Sequence, residues 1–184
     1  MRKLKIQLQL SADGFMAGHD GQMDWANRNW GEDINRYVGD LTQSIDCIVL
    51  GRTLAAGFIP YWAANPTQPG AEVFNSTAKV VCSRQLTSSP WPNTTIATGE
   101  ARATIHALKQ TPGGDIICYG GTTLIASLIQ HQLVDEFFLF INPTAIGRGA
   151  SPFQSLTAYQ PLALTDARTF DCGIAVMHYT MPRA

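Results

Sequence analysis

Charge is scarce in this 184-residue chain, at 15 %, and its signs nearly cancel: 13 Lys and Arg stand against 14 Asp and Glu, a formal net charge of −1. That lacks the basic surplus on which nucleic-acid and anionic-membrane binding depend, and it points to a small-molecule partner. No apolar run approaches the ~20 residues of a membrane span, and Arg2 and Lys3 lead into the alternating segment KLKIQLQL rather than an apolar leader. A cytoplasmic chain is expected. Cysteine is also sparse: Cys47, Cys82, Cys118 and Cys172 form no CxxC pair, and no His stands at ligand spacing. This argues against a disulfide framework and against any metal site. Repeats, low-complexity tracts and linkers are missing, and so is GxGxxG, so the ordinary Rossmann fingerprint does not apply.

What the chain does have is short apolar strands alternating with helical patterns. Strands are expected at 4–10, 47–50, 79–82, 94–98 and 115–119, followed by 136–143, 162–170 and 174–181; helices at 32–44, 53–58, 71–76, 100–109 and 122–130. The early alternation implies crossovers and a mostly parallel sheet. The last third lacks helical pattern, and Asp171-Cys172-Gly173 supplies a turn, so antiparallel strands are expected at one edge. Pro60 to Gly70 and Ser88 to Asn93 read as surface loops within one domain spanning 1–184.

Three strand exits carry groups suited to phosphate. The most informative is DIICYGGTTLIASLIQ, where a strand stops at Gly120-Gly121 and an apolar-faced helix begins, leaving free N–H groups at the positive end of a helix dipole. The same pair also serves as a plain tight turn. At Leu50-Gly51-Arg52-Thr53 a strand again ends in Gly, with Thr53 able to cap the following helix. Ser83 and Arg84 close a third strand with a hydroxyl beside a guanidinium, a pairing suited to a phosphate monoester or to an ordinary polar exit. In a parallel sheet these exits share one edge, the edge where open α/β sheets bind ligands. The ligand shape they suit is that of NADPH. Asp13 and Gly14 lie at the tip of the loop after the first strand, and Trp25 either walls a pocket or packs in the core.

In this order the motifs SADGFMAG, LGRTL, VVCSR and CYGGTTLIASLIQHQLVDEFFLFINPTAIGRGASPF resemble the dihydrofolate reductase-like superfamily. The branch they resemble is the reductase domain of the bifunctional riboflavin-synthesis deaminase/reductase. The resemblance covers nearly the whole chain and implies a three-layer α/β/α fold, a homodimer through the late edge strands, and NADPH as cofactor. It places Gly51, Arg52 and Thr53 at the cofactor phosphates, Ser83 and Arg84 at the adenosine 2′-phosphate, and Tyr119, Gly120, Gly121, Thr122, Thr123 and Leu124 at the pyrophosphate. Ala17 falls on the cofactor side of the loop after the first strand; Gly14, Trp25 and Asp33 fall on the substrate side. Asp13 and Asn35 are the candidates for catalytic positions.

Two departures bear on substrate. Dihydrofolate reductases proper carry a carboxylate on the helix where ungapped counting puts Asn35, and Asp33, two residues away, points about 200° apart on a helix. Pterin reduction is therefore disfavoured. No basic residue lies between Arg52 and Lys79, so a phosphoribosyl group lacks an obvious clamp. The implied activity is hydride transfer from NADPH to a C=N or C=O carbon of a small heterocyclic or sugar-derived molecule, 5-amino-6-(5-phosphoribosylamino)uracil reductase-like. The alternatives are a pterin reductase and a nucleotide-binding module without turnover.

Overall fold

The computed structural model describes residues 1–26 and 29–182. The chain runs β1 (Leu4–Leu10), α1 (Glu32–Thr42), β2 (Ile45–Gly51), α2 (Arg52–Ala64), α3 (Ala71–Ser76), β3 (Ala78–Cys82) and β4 (Thr94–Ala97). It continues with α4 (Ala101–Gln110), β5 (Asp115–Gly120), α5 (Thr122–Gln130), β6 (Glu136–Ile141), β7 (Ala163–Thr169) and β8 (Ala175–Thr180). All eight strands join one sheet in the order β4-β3-β2-β5-β1-β6-β8-β7. Pairings from β4 to β6 are parallel, whereas β8 runs antiparallel to both β6 and β7. The fold is thus the expected three-layer α/β/α architecture with an antiparallel edge.

Side-chain alternation sorts the core by face. Leu4, Ile6, Leu8 and Leu10 of β1 join Val49, Ile116, Phe137 and the apolar stripe of α5 in one cluster. The opposite face carries two separate clusters. One packs Ala55 and Ile59 of α2 and Phe74 of α3 on Ile48, Leu50, Val81 and Ile117; the other packs Ile34 and Leu41 of α1 on Phe138, Phe140 and Val176. No β1 residue belongs to either. The side chains that β1 sends to that face are the polar Lys5, Gln7 and Gln9.

Two expectations need correcting. Helix α2 continues through Pro60 to Ala64, so the segment from Pro60 onward does not begin as a loop. Proline forfeits one helical hydrogen bond, but its position is exposed, where water can take the bereft carbonyl. On the inner face Phe58 and Trp62 pack on Phe74 with ring centroids 5.1 and 5.5 Å apart. Aromatic burial thus outweighs the local stop signal. The second correction concerns Thr53: Gly51 is the residue preceding the first helical turn, and no side chain caps it.

Candidate functional site

The strands that end in phosphate-friendly residues are neighbours. Leu50 of β2 pairs with Gly120 of β5 on one side, and Gly51 pairs with Cys82 of β3 on the other. Helices α2 and α5 therefore begin side by side at one sheet edge. The glycines are required by that closeness: a Cβ on Gly51 would stand 3.0 Å from the Gly121 nitrogen. Gly120 has φ +138°, a conformation that residues with a side chain rarely adopt. Neither helix start has a side-chain cap, so the first-turn N–H groups of Arg52, Thr53, Thr122 and Thr123 remain available to an anion.

Ser83 is buried where β3 ends. Its Oγ accepts from the N–H groups of Gln85 and Leu86 at 3.1 and 3.0 Å, which bends the chain there. The hydroxyl proton stays available to an outside acceptor. Arg84 and Arg52 are exposed and make no ion pair among the described residues. Two cations without carboxylate partners thus stand beside two open helix starts. The residues fit a nucleotide bearing several phosphate groups.

The loop after β1 is stitched to the loop after β6. Ala17 and Ala150 form an isolated antiparallel bridge, with Ala150 N–H donating to Ala17 O at 2.9 Å and Met16 N–H to Ala150 O at 2.8 Å. Asp13 is the side-chain clasp. The Ser11 hydroxyl donates to Oδ1 at 2.7 Å, and the Gly147 and Ile146 N–H groups donate to Oδ2 at 2.6 and 3.2 Å. The Ser11 hydrogen bond first, with the backbone donors of Gly147 and Ile146, holds this carboxyl below its ordinary 3.8. A depressed carboxyl stabilises the fold above its unfolded-state value, and that contribution fades as pH drops through the lower folded-state value. Denaturation series between about pH 5 and pH 2 should therefore show a shallower acid-side loss in Asp13→Asn than in the parent; superimposable acid limbs would refute the clasp.

The α1 side is arranged differently. Asp33 accepts from its own helix start, Ile34 N–H at 2.8 Å, and from Asp171 N–H at 2.9 Å, which ties α1 to the β7–β8 turn. The Asp171 donor chiefly, then Ile34, lowers the Asp33 carboxyl. Asn35 donates from Nδ2 to Trp30 O at 3.4 Å, and Trp25 from Nε1 to Gln22 O at 3.2 Å. Gly14 occupies a turn with φ +87°. Tyr119 turns its ring into the α2 cluster, 5.8 Å from Phe58, and burial raises its hydroxyl pKa. Leu124 is buried under α5. The structure therefore gathers Gly51, Arg52, Thr53, Ser83, Arg84, Gly120, Gly121, Thr122 and Thr123 on one edge, and it engages Asp33 with a distant turn.

Sequence reasoning missed that the polar positions of β1 are covered. Lys5 and Gln7 are buried, as is Asn142 at the end of β6. Asn142 Nδ2 donates to Gln9 Oε1 at 3.0 Å and to Leu10 O at 3.1 Å, which locks the ends of β1 and β6 together. The signal was present as polar residues at every second position of KLKIQLQL. Two shallow cavities, of about 380 and 530 Å³, lie elsewhere: the first, lined by Asp46, Lys79 and Thr94, is at the opposite ends of β2, β3 and β4, and the second, by Lys3 and Glu136, at the start of β1 and β6.

A parallel sheet flanked by helices on both faces, an antiparallel C-terminal edge and glycine-ended helix starts define the dihydrofolate reductase-like class. Within it, the chain belongs to the family of the RibD C-terminal domain, whose model matches residues 2–176. The uncharacterized protein YyaP of Bacillus subtilis (strain 168) is 31 % identical over 183 residues, covering 97 % of this chain and 94 % of that protein. Among solved structures, a diaminohydroxyphosphoribosylaminopyrimidine deaminase/5-amino-6-(5-phosphoribosylamino)uracil reductase from Thermotoga maritima is similar in fold. Its TM-score is 0.72 at 13 % identity, over 98 % of this chain and 57 % of that one. A pyrimidine reductase-like protein from Corynebacterium diphtheriae NCTC aligns with TM-score 0.67 at 15 % identity, over all of this chain and 93 % of that one. No helix among the described residues is long and apolar enough to cross a membrane.

Proposed function

We propose that this protein is an NADPH-dependent oxidoreductase of the 5-amino-6-(5-phosphoribosylamino)uracil reductase type, related to riboflavin biosynthesis, acting on a C=N or C=O carbon of a small heterocyclic or sugar-derived substrate. The observation that carries the reading is the meeting of two uncapped helix starts at Gly51 and Gly121, on the edge shared by Ser83 and Arg84. NADPH, when bound, supplies the hydride. The chain's own part is to bind and orient: the first-turn N–H groups of α2 and α5 take the pyrophosphate, Ser83 and Arg84 take the 2′-phosphate, and the stitched loops cover the reacting end. Asp13 acts in this scheme through the loops it clasps, because a depressed carboxyl is ionised at neutral pH and has no proton to give. With no cation between Arg52 and Lys79, a substrate without a phosphate fits as well as a phosphoribosyl one.

The test is a calorimetric titration with NADPH and NADH side by side at fixed salt. The parent should prefer NADPH, and Arg84→Ala should weaken NADPH by roughly 10- to 30-fold, the worth of one charge-assisted hydrogen bond, while leaving NADH nearly unchanged. Equal loss for both cofactors would remove Arg84 from the 2′-phosphate. Binding of NADPH without oxidation by any substrate offered would favour a nucleotide-binding module; Asn35, an amide with no proton to transfer, keeps that reading in play. A homodimer through β7 and β8 completes the proposal. Strand β7 is exposed on both faces, with Leu164 55 % open, and sedimentation should return twice the 20.0 kDa chain mass.

A further inference from the structure

We infer that Asp33 is a positioning residue: through it the β7–β8 hairpin sets the place of α1, so that assembly along β7 and the geometry of the substrate side are coupled. The inference rests on the proposed function for two things, that α1 borders the substrate and that a second copy covers β7, but not for the tether itself. Helix α1 packs on the antiparallel end of the sheet. Its buried Ile34 and Leu41 share a cluster with Phe138 and Phe140 of β6 and with Ile174 and Val176, and no residue of β1, β2, β3 or β5 belongs to that cluster. Where the antiparallel end stands, α1 stands with it.

The start of α1 has little else to fix it. Its N-cap is Gly31, which has no side chain to offer the first-turn N–H groups. Asp33 acts where a cap would and reaches further: one carboxylate oxygen takes the Ile34 N–H at 2.8 Å, and the other takes the N–H of Asp171, in the turn of the hairpin, at 2.9 Å. One helical turn on, Tyr37 meets the same hairpin, with its ring 5.3 Å from that of Phe170 and 5.5 Å from the Arg168 guanidinium. Residues four apart share a helix face, so 33 and 37 form one stripe clasped by 168, 170 and 171. The hairpin is itself weakly held on its outer side: β7 pairs only with β8, and six of its seven residues are exposed. An edge strand of that kind opens easily, and a second copy against it would steady it. Because the hairpin holds α1 through Asp33, that ordering reaches Asn35 on the same helix. By reciprocity, a ligand that steadies α1 strengthens assembly.

The test is amide hydrogen exchange on the free protein at concentrations spanning the monomer–dimer transition, with sedimentation on the same samples. In the parent, the amides of 36–42 should exchange roughly fivefold more slowly in the dimer, the worth of one hydrogen bond, while those of α4, on the other face of the sheet, keep their rates. Asp171→Pro removes the donor and leaves Asp33 in place. Asp171 is the second residue of the turn closed by Gly173 N–H to Phe170 O at 2.8 Å, a position that proline suits. In that variant β7 and β8 should still slow on assembly and α1 should not. Asp33→Ala should behave alike, and Asp33→Asn, which keeps a carbonyl acceptor, should recover part of the response. An α1 that ignores assembly in the parent, or that responds fully in Asp171→Pro, overturns the coupling. A chain that stays monomeric at every concentration would instead sink the proposed dimer, and the tether is then read in the monomer: 36–42 should exchange roughly fivefold faster in Asp171→Pro than in the parent, and equal rates would overturn it.

Discussion

Gly149→Ala should lower the thermal midpoint by roughly 5–15 °C and cripple turnover, although position 149 is a small residue on a surface loop. An ideal Cβ there lands 2.1 Å from the Ala17 carbonyl oxygen and 3.2 Å from the Phe15 Cβ. The obstructing oxygen is backbone and cannot swing aside. It is also the acceptor of the Ala150 N–H, so relieving the overlap opens the bridge that joins the two loops. Overpacking costs roughly 1–3 kcal/mol, and each hydrogen bond lost with it adds about 1 kcal/mol. Calorimetry and steady-state rates on the same preparation would check this. A variant that melts with the parent would mean that the loops are not joined in solution.

Gly120→Ala should weaken NADPH by roughly 10- to 100-fold, through the backbone rather than through crowding. At φ +138° an alanine is strained by about 1–3 kcal/mol, whereas its Cβ would meet the Leu54 methyl at 3.2 Å and the Met16 methyl at 3.8 Å, both ends of flexible side chains. The chain escapes the strain by moving Gly120 and Gly121, and with them the start of α5 and its close fit to Gly51. Gly121→Ala is the informative partner: no atom lies within 4 Å of a Cβ there. Its stability should match the parent's, and a loss of NADPH affinity in that variant would come from the ligand occupying the space. Unchanged affinity in both variants would take the Gly120-Gly121 turn out of the cofactor site.

Much of this site was legible as local punctuation. Apolar runs closing in Gly51, Ser83 and Gly120 were visible as strand exits, and the apolar stripe of 122–130 marked α5. Their convergence required only that the strands be parallel, since parallel strands put all their carboxyl ends on one edge. Pro60 misled because its stop signal is local, while the packing of Phe58 and Trp62 on Phe74 is contributed by another helix. In the sequence Asp13 reads as a catalytic candidate and Asp33 as a substrate-side residue. Their partners, Asp171 N–H and the Ile146–Gly147 backbone, lie more than 130 residues away in sequence, and no spacing rule reaches that far.

By itself the sequence determined the alternation of strands and helices, the parallel sheet with an antiparallel end, and the phosphate-friendly exits, because each follows from side-chain periodicity or from the conformational freedom of glycine. Only the tertiary structure decided what KLKIQLQL means. In an edge strand its polar positions would face water. Between β5 and β6 they are covered by helices on either side, and burial turns Lys5, Gln7 and Gln9 from surface residues into groups that must each find a partner. Lys5 and Gln9 find theirs within the chain, while the buried Oε1 of Gln7 finds none among the described residues.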